Sequence, residues 1–279
     1  MGIFSNNKFD PNYKKRPFDS YKSVVDKLDE ETKQKLDRQR QKGMLIIVAF
    51  VFLLVVLLAV TGIGIDKNRS ASGNVFADKE TVLVECFGDS LTEGFTIAEN
   101  GESEIVENTY PEEMRSEMLN LFAQDGKSYK FKTLEVKNYG QSGSILQGNS
   151  YSRLSGKADI VVMQYIANNF MESSEYGGLI EENYETIRQM GSKVFILNYP
   201  YAQGTAAQDK LEQANNHIAA VAKDLSASLI DVHAYFESLE DYSTDELFCS
   251  DMLHLTQKGY ELMGDYVARE IHQYYFDLY

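Results

Sequence analysis

The sequence predicts a three-layer α/β/α domain built on a parallel sheet and preceded by one membrane-spanning helix. Three observations predict it. From Thr81 onward, short apolar runs alternate with helical stretches. Residues 44–65 form a 22-residue segment without a charged side chain. The charge of the 279-residue chain, −15 overall, is split around that segment, with a net of +4 over residues 1–43 and −19 over residues 66–279.

The apolar segment runs MLIIVAFVFLLVVLLAVTGIGI. At about 1.5 Å per residue a helix of this length covers roughly 33 Å, enough for a hydrocarbon core of about 30 Å. Leu, Ile, Val and Phe are spread around it, so it offers no polar face to rest on a soluble core. A cleaved leader would have a short charged start, whereas 43 residues precede this run. Val75-Phe76-Ala77 resembles a signal-peptidase site but lies well past the apolar end, so an uncleaved anchor is favoured. Lys33, Lys35, Arg38, Arg40 and Lys42 precede the span, and only Lys67 and Arg69 closely follow it. That asymmetry predicts a cytoplasmic N-terminus and an extracytoplasmic C-terminal domain.

Residues 1–43 read as a basic cytoplasmic segment, polar over 1–18 and helical over 19–42. Val24, Val25, Leu28 and Leu36 give the helical part scattered apolar contacts, for a cytoplasmic partner or simply to lead into the membrane. Residues 66–80, with Ser, Gly and Asn, read as a linker, and residues 81–279 as the folded domain.

Within that domain the apolar runs Val82–Phe87, Leu134–Val136, Ile160–Tyr165, Val194–Leu197 and Leu229–Val232 barely alternate, as expected of parallel strands covered on both faces. Helical stretches fall around Pro111–Ala123, Leu179–Met190 and Ala206–Leu225, and a last helix runs from about Thr256, its N-cap, to Tyr275. Strands separated by helices give a parallel sheet with a layer on each face, and ligand sites then gather at the strands' carboxyl ends.

Composition narrows the chemistry. A strongly acidic domain offers no basic surface for phosphates, which excludes a nucleic-acid partner. Cys86 and Cys249 are the only cysteines and fit no zinc pattern. They are left open between a disulfide, which an oxidising compartment permits, and two buried thiols. The acidic runs Glu99–Glu107 and Glu237–Glu246 read as solvated loops. Tyr165, Tyr199 and Tyr201 fall at strand ends, where their rings could stack on a sugar or simply pack.

Four short blocks carry chemistry. Gly88-Asp89-Ser90 directly follows the strongest strand, and Gly88 lets the backbone turn so that the serine hydroxyl is presented at the sheet edge. Asp251-Met252-Leu253-His254 stands just before the last helix. A serine needs a base, and an imidazole needs a carboxylate to fix its tautomer. Asn138-Tyr139-Gly140-Gln141-Ser142-Gly143 follows the second strand, and Ala167-Asn168-Asn169 follows the third. A glycine N–H and an asparagine amide are donors suited to the oxyanion of acyl transfer. Each block alone is weak.

In order and at these strand ends, the four blocks resemble those of the SGNH (GDSL-type) hydrolase family over about residues 81–275. The resemblance implies a flavodoxin-like three-layer fold, with Ser90 as nucleophile, His254 as base and Asp251 as its partner. It implies an oxyanion hole from the N–H groups of Ser90 and Gly143 and the amide of Asn168, without metal or organic cofactor. His254-Leu255-Thr256 leading through Gly259 into a helix is also similar to the family's ending. The third block departs from the usual Gly-x-Asn-Asp, reading Ile166-Ala167-Asn168-Asn169, so the amide donor is kept and the flanking glycine and acid are not. The expected activity is hydrolysis of an acyl ester, first of all O-acetyl, on cell-envelope or extracellular carbohydrate. A lysophospholipase, lipase or thioesterase, an acyltransferase and a catalytically silent scaffold remain as alternatives. With Ser90 and its neighbours near the active edge, a Cys86–Cys249 bridge would brace the loop that bears Asp251 and His254.

Overall fold

The computed structural model describes residues 74–165 and 173–278. The expected cytoplasmic segment, the membrane helix over 44–65 and the first part of the linker lie outside the described residues. Among the described residues no helix is long and apolar enough to cross a membrane.

The chain enters through a short turn of helix, α1 (Val75–Asp78), capped by the Asn74 side chain, which accepts from Phe76 N and Ala77 N. Phe76 is fully buried against Phe122, Phe131 and Tyr275. The predicted linker over 66–80 is therefore corrected at its end: residues 74–80 belong to the domain, because Phe76 fills its core.

Five parallel strands form the central sheet: β1 (Thr81–Gly88), β4 (Thr133–Gly140), β5 (Ile160–Gln164), β6 (Lys193–Leu197) and β7 (Ser228–Ile230). Their order is β4-β1-β5-β6-β7, the doubly wound arrangement in which direction of winding reverses beside the first strand. Register brings Gly88 level with Gly140 on one side and with Gln164 on the other, so three strands deliver their carboxyl ends to one place.

Successive residues of β1 serve opposite layers. Cys86 meets Tyr110 of α3 (Tyr110–Gln124), while Phe87 packs edge-on against Tyr165. On the first face α3 pairs with the C-terminal helix α8 (Gln257–Asp277). Gly264 permits this, because a Cβ there would come within 2.5 Å of Glu113 Cβ. On the other face α4 (Ser173–Gln189) packs on α5 (Gln208–Asp224).

Sequence reading shortens β4 to its apolar centre. The strand runs on through Glu135, Lys137 and Asn138, with a burial pattern that is largely half-open because β4 is an edge strand paired only with β1. The acidic run Glu99–Glu107, expected to be a solvated loop, carries the second strand of a two-stranded hairpin, β2 (Phe95–Ile97) with β3 (Ser103–Ile105). The helical turns α2 (Ser90–Glu93), α6 (Val232–Glu237) and α7 (Thr244–Leu247) are too short to leave a periodic signal.

Candidate active site

The loop that bears Ser90 is shaped by what cannot fit beside it. A Cβ on Gly88 would lie 2.1 Å from both Gln164 O and Thr92 Oγ1, so only glycine lets β1 end against β5 and turn at once. Asp89 then caps α2, its Oδ1 accepting from Leu91 N at 3.2 Å, and Ser90 opens that turn, buried but for 3% of its surface. Behind it Thr92 Oγ1 donates to Gln164 Oε1 (3.1 Å) and lies 3.3 Å from the Tyr110 hydroxyl.

His254 arrives from the far end of the chain. Phe248 and Leu255 form an isolated antiparallel bridge, and Cys249 N donates to His254 O at 2.8 Å, closing residues 249–254 into a tight loop. Met252 takes a left-handed φ of 56° inside it, so Asp251 and His254 face each other across one turn. Asp251 Oδ1 accepts from the N–H groups of Leu253 and His254, both at 3.0 Å, and Oδ2 lies 2.6 Å from His254 Nδ1. His254 Nε2 lies 2.9 Å from Ser90 Oγ. Burial pushes the Asp251 carboxyl up, but the bonds from the His254 ring and from the two backbone N–H groups outweigh it and hold it below the usual carboxylate range. Phe95 backs the imidazole with ring centroids 4.6 Å apart, and Ala202 N steadies the loop through Met252 O. Ser90, predicted from the first block, and Asp251 and His254, predicted together from the last, are thus brought into one hydrogen-bonded row.

The second block wraps round the nucleophile turn. Asn138 Nδ2 donates to Thr92 O (2.7 Å), Gln141 N to Gly88 O (3.1 Å) and Ser144 Oγ to Gly88 O (3.3 Å). Gly140 sits so close that a Cβ would be 2.0 Å from Glu93 N. Glu93 Oε2 accepts from Ser142 N at 2.7 Å and from the Ser142 hydroxyl. Gly143 follows with φ +74° and open space around it. Sequence reading missed Glu93, whose only signal was its place three residues after Ser90 in the same helical turn. Asn168, with Ala167 and Asn169, lies outside the described residues.

The bridge between Cys86 and Cys249 is corrected: both are free, buried thiols. Cys86 points into the α3 layer, where burial pushes its thiol far up and Tyr110 bonds it. Cys249 Sγ is held by Thr96 Oγ1 (3.2 Å) and Ile97 N (3.4 Å) of β2. The hairpin, rather than a disulfide, braces the loop that bears Asp251 and His254.

The rings of the three tyrosines are packed in the interior. Tyr165, Tyr199 and Tyr201 are all buried; Tyr165 accepts from Arg153, and Tyr201 stacks on His233 at 4.2 Å. None presents a free ring face for a sugar. A groove of about 1160 Å³ runs between the hairpin and the 244–257 segment, lined by Ile97, Glu104, Phe248 and Met252 among others. It adjoins the loop that carries His254, although neither Ser90 nor His254 lines it.

A sequence model of the GDSL-like lipase/acylhydrolase family matches residues 86–262. No curated protein sequence matches the chain. Among solved structures it is similar to a lipase/acylhydrolase from Enterococcus faecalis, at 22% identity and a TM-score of 0.56 over 69% of this chain and 96% of that one. An acetyl xylan esterase from Geobacillus stearothermophilus gives 17% identity and 0.53 over 68% and 94%. A carbohydrate acetylesterase from Sinorhizobium meliloti gives 13% and 0.52 over 69% and 99%. At these identities the three structures speak for the fold.

Proposed function

The chain belongs to the GDSL-like lipase/acylhydrolase family, and on that premise we propose that it removes a small acyl group, O-acetyl first, from carbohydrate, using Ser90, His254 and Asp251. The observation that supports this most is the unbroken relay from Ser90 Oγ through His254 to Asp251, at 2.9 and 2.6 Å.

With the Nδ1 proton donated in a hydrogen bond to the Asp251 carboxylate, His254 Nε2 is the free lone pair that faces Ser90. Ser90 Oγ attacks the ester carbonyl carbon while its proton passes to Nε2. The carbonyl oxygen becomes an oxyanion, met by the N–H groups of Ser90 and Gly143 and by the Asn168 amide. Collapse breaks the bond to the alcohol, which leaves with the proton from Nε2, and the acyl group stays on Ser90. Water then attacks, gives its proton to His254, and the carboxylic acid departs as Ser90 recovers its hydrogen.

A small acyl group is favoured because Ser90 is nearly enclosed and the His254 side chain is only 15% exposed. Carbohydrate as the alcohol is supported by the likeness to the acetyl xylan esterase and the carbohydrate acetylesterase, and by residues 44–65, whose length and lack of charge suit an anchor that holds the domain outside the membrane, N-terminus inward.

Full-length protein in detergent, assayed on p-nitrophenyl esters from acetate to decanoate and on acetylated xylan, tests the reading. Acetate and the glycan are expected to be preferred, and Ser90→Ala to abolish turnover. Preference for decanoate would favour the lipase alternative, persistent turnover in Ser90→Ala would remove Ser90 from its role, and a parent inert to a fluorophosphonate probe would point to a silent scaffold.

A further inference from the structure

Tyr199 stands two residues past β6, at the same sheet edge as Ser90, with no surface exposed. Its backbone is held by one side chain on both sides: Asn215 of α5 accepts from Tyr199 N and donates to Tyr199 O, each at 2.9 Å. Asn215 is itself buried, so a second polar group has been taken out of water to fix this one residue. The preceding Asn198 is locked as well, donating to Asp231 Oδ1 at 2.6 Å and accepting from His233 N at 3.0 Å, and Pro200 follows.

The phenol that this clamp positions makes no well-formed hydrogen bond among the described residues, although it is buried, and the side-chain contact that its oxygen does have is with Ser90. Phenylalanine would fill the same space without that penalty, so the hydroxyl calls for an explanation. It faces the Ser90 side chain, among Asp89, Asp251 and Tyr260. Burial first, and then Asp89, Tyr260 and Asp251, push its ionisation well above the ordinary value, so it stays a proton-bearing donor. Ser90 Oγ directs its proton to His254 and keeps lone pairs free to accept.

We propose that the Tyr199 hydroxyl is a further catalytic donor, closing onto Ser90 Oγ when negative charge develops there. That charge appears as the Ser90 proton moves to His254, and again as the serine oxygen leaves the acyl carbon during deacylation. No proton leaves Tyr199; the hydrogen bond forms and is released within each cycle. The idle hydroxyl is then a preorganised group whose partner is a transient charge. This role rests on Ser90 being the nucleophile.

Tyr199→Phe in the full-length protein tests it, since the substitution keeps the ring and removes only the oxygen. The expected result is a loss of roughly 10- to 100-fold in kcat/KM for a short aryl ester, a similar slowing of fluorophosphonate labelling at Ser90, and a Tm equal to or above the parent's. Unchanged rates would overturn the proposal. So would a fall in Tm alongside the fall in rate, because the hydroxyl would then be a structural partner. Labelling of the parent, and its loss in Ser90→Ala, checks the nucleophile separately: a parent that does not label overturns both assignments, whereas a parent that labels and a Phe variant that matches it overturn only this one.

Discussion

Near the amino end of the sheet the polar side chains of Asn74 and Asp125 are matched to partners, whereas the carboxyl end leaves several buried groups without one among the described residues; Glu85 Oε1, midway along β1, is unmatched as well. Asn74 caps α1 and donates to Tyr275 O at 2.8 Å, and Asp125 accepts from Tyr129 (2.6 Å) and from His272 (3.0 Å). Phe76 is enclosed by aromatic rings in stacked and edge-on contact. At the carboxyl end Gln164 Nε2, Tyr199 Oη and His233 Nδ1 are buried without a well-formed hydrogen bond among the described residues, and Met252 holds a left-handed backbone. The first end is arranged for packing. The second tolerates local cost because its groups must meet a substrate, which fits the general trade of stability against activity at catalytic sites.

The comparison breaks if substitutions at the two ends have the same effects. The largest expected effect is on turnover. His254→Ala should lower kcat by about 10⁴-fold or more while moving Tm by no more than about 3 °C, as read by ester hydrolysis and a thermal melt. A Tm loss matching that of a core truncation would erase the distinction. Phe76→Ala should do the reverse. Removing a fully buried phenylalanine costs about 3–5 kcal/mol, or roughly 6–20 °C in Tm for a domain of this size. The kcat/KM per folded molecule should stay at the parent's value; a loss there would mean that the two ends are coupled.

A smaller effect sharpens the picture within the site. Glu93→Ala frees Ser142 and loosens the approach of Gly143, so kcat should fall roughly 10- to 100-fold with KM nearly unchanged. Steady-state kinetics check this, and a rise in KM alone would assign Glu93 to substrate binding. The smallest effect concerns pH. Asp251 is more acidic folded than unfolded, so its stabilisation is full above the unfolded value of about 3.9 and is lost as pH falls through the lower folded value. The Tm difference between the parent and Asp251→Asn should therefore narrow from about pH 6 towards pH 3. A difference that widens on acidification would refute that sign.

Much of the fold was legible because burial on both faces leaves a one-dimensional trace. Val82–Phe87, Ile160–Tyr165 and Val194–Leu197 are apolar runs because layers cover them on each side, and the matching strands differ by only one or two residues. Edges and short turns leave no such trace. β4 alternates with polar residues because one flank is unpaired, and the β2–β3 hairpin hides in an acidic run because all three residues of β3 are exposed. At the other boundary, Phe76 reads as part of a linker because nothing local shows that Phe122, Phe131 and Tyr275 will surround it.

The sequence by itself determined the sheet's strands, the order of the chemical blocks and the identities of Ser90, Asp251 and His254, since each block needs only a strand end and a few adjacent residues. Tertiary structure alone decided which side chains share the site. Glu93 reaches Ser142 across 49 positions, and Tyr199 reaches Ser90 across two strands. It also decided that Cys86 meets Tyr110 of α3 and Cys249 meets Thr96 of β2, each as a free thiol. Such pairings depend on strand order and on the layer each side chain faces, and these emerge only when the whole sheet has closed on its two helical layers.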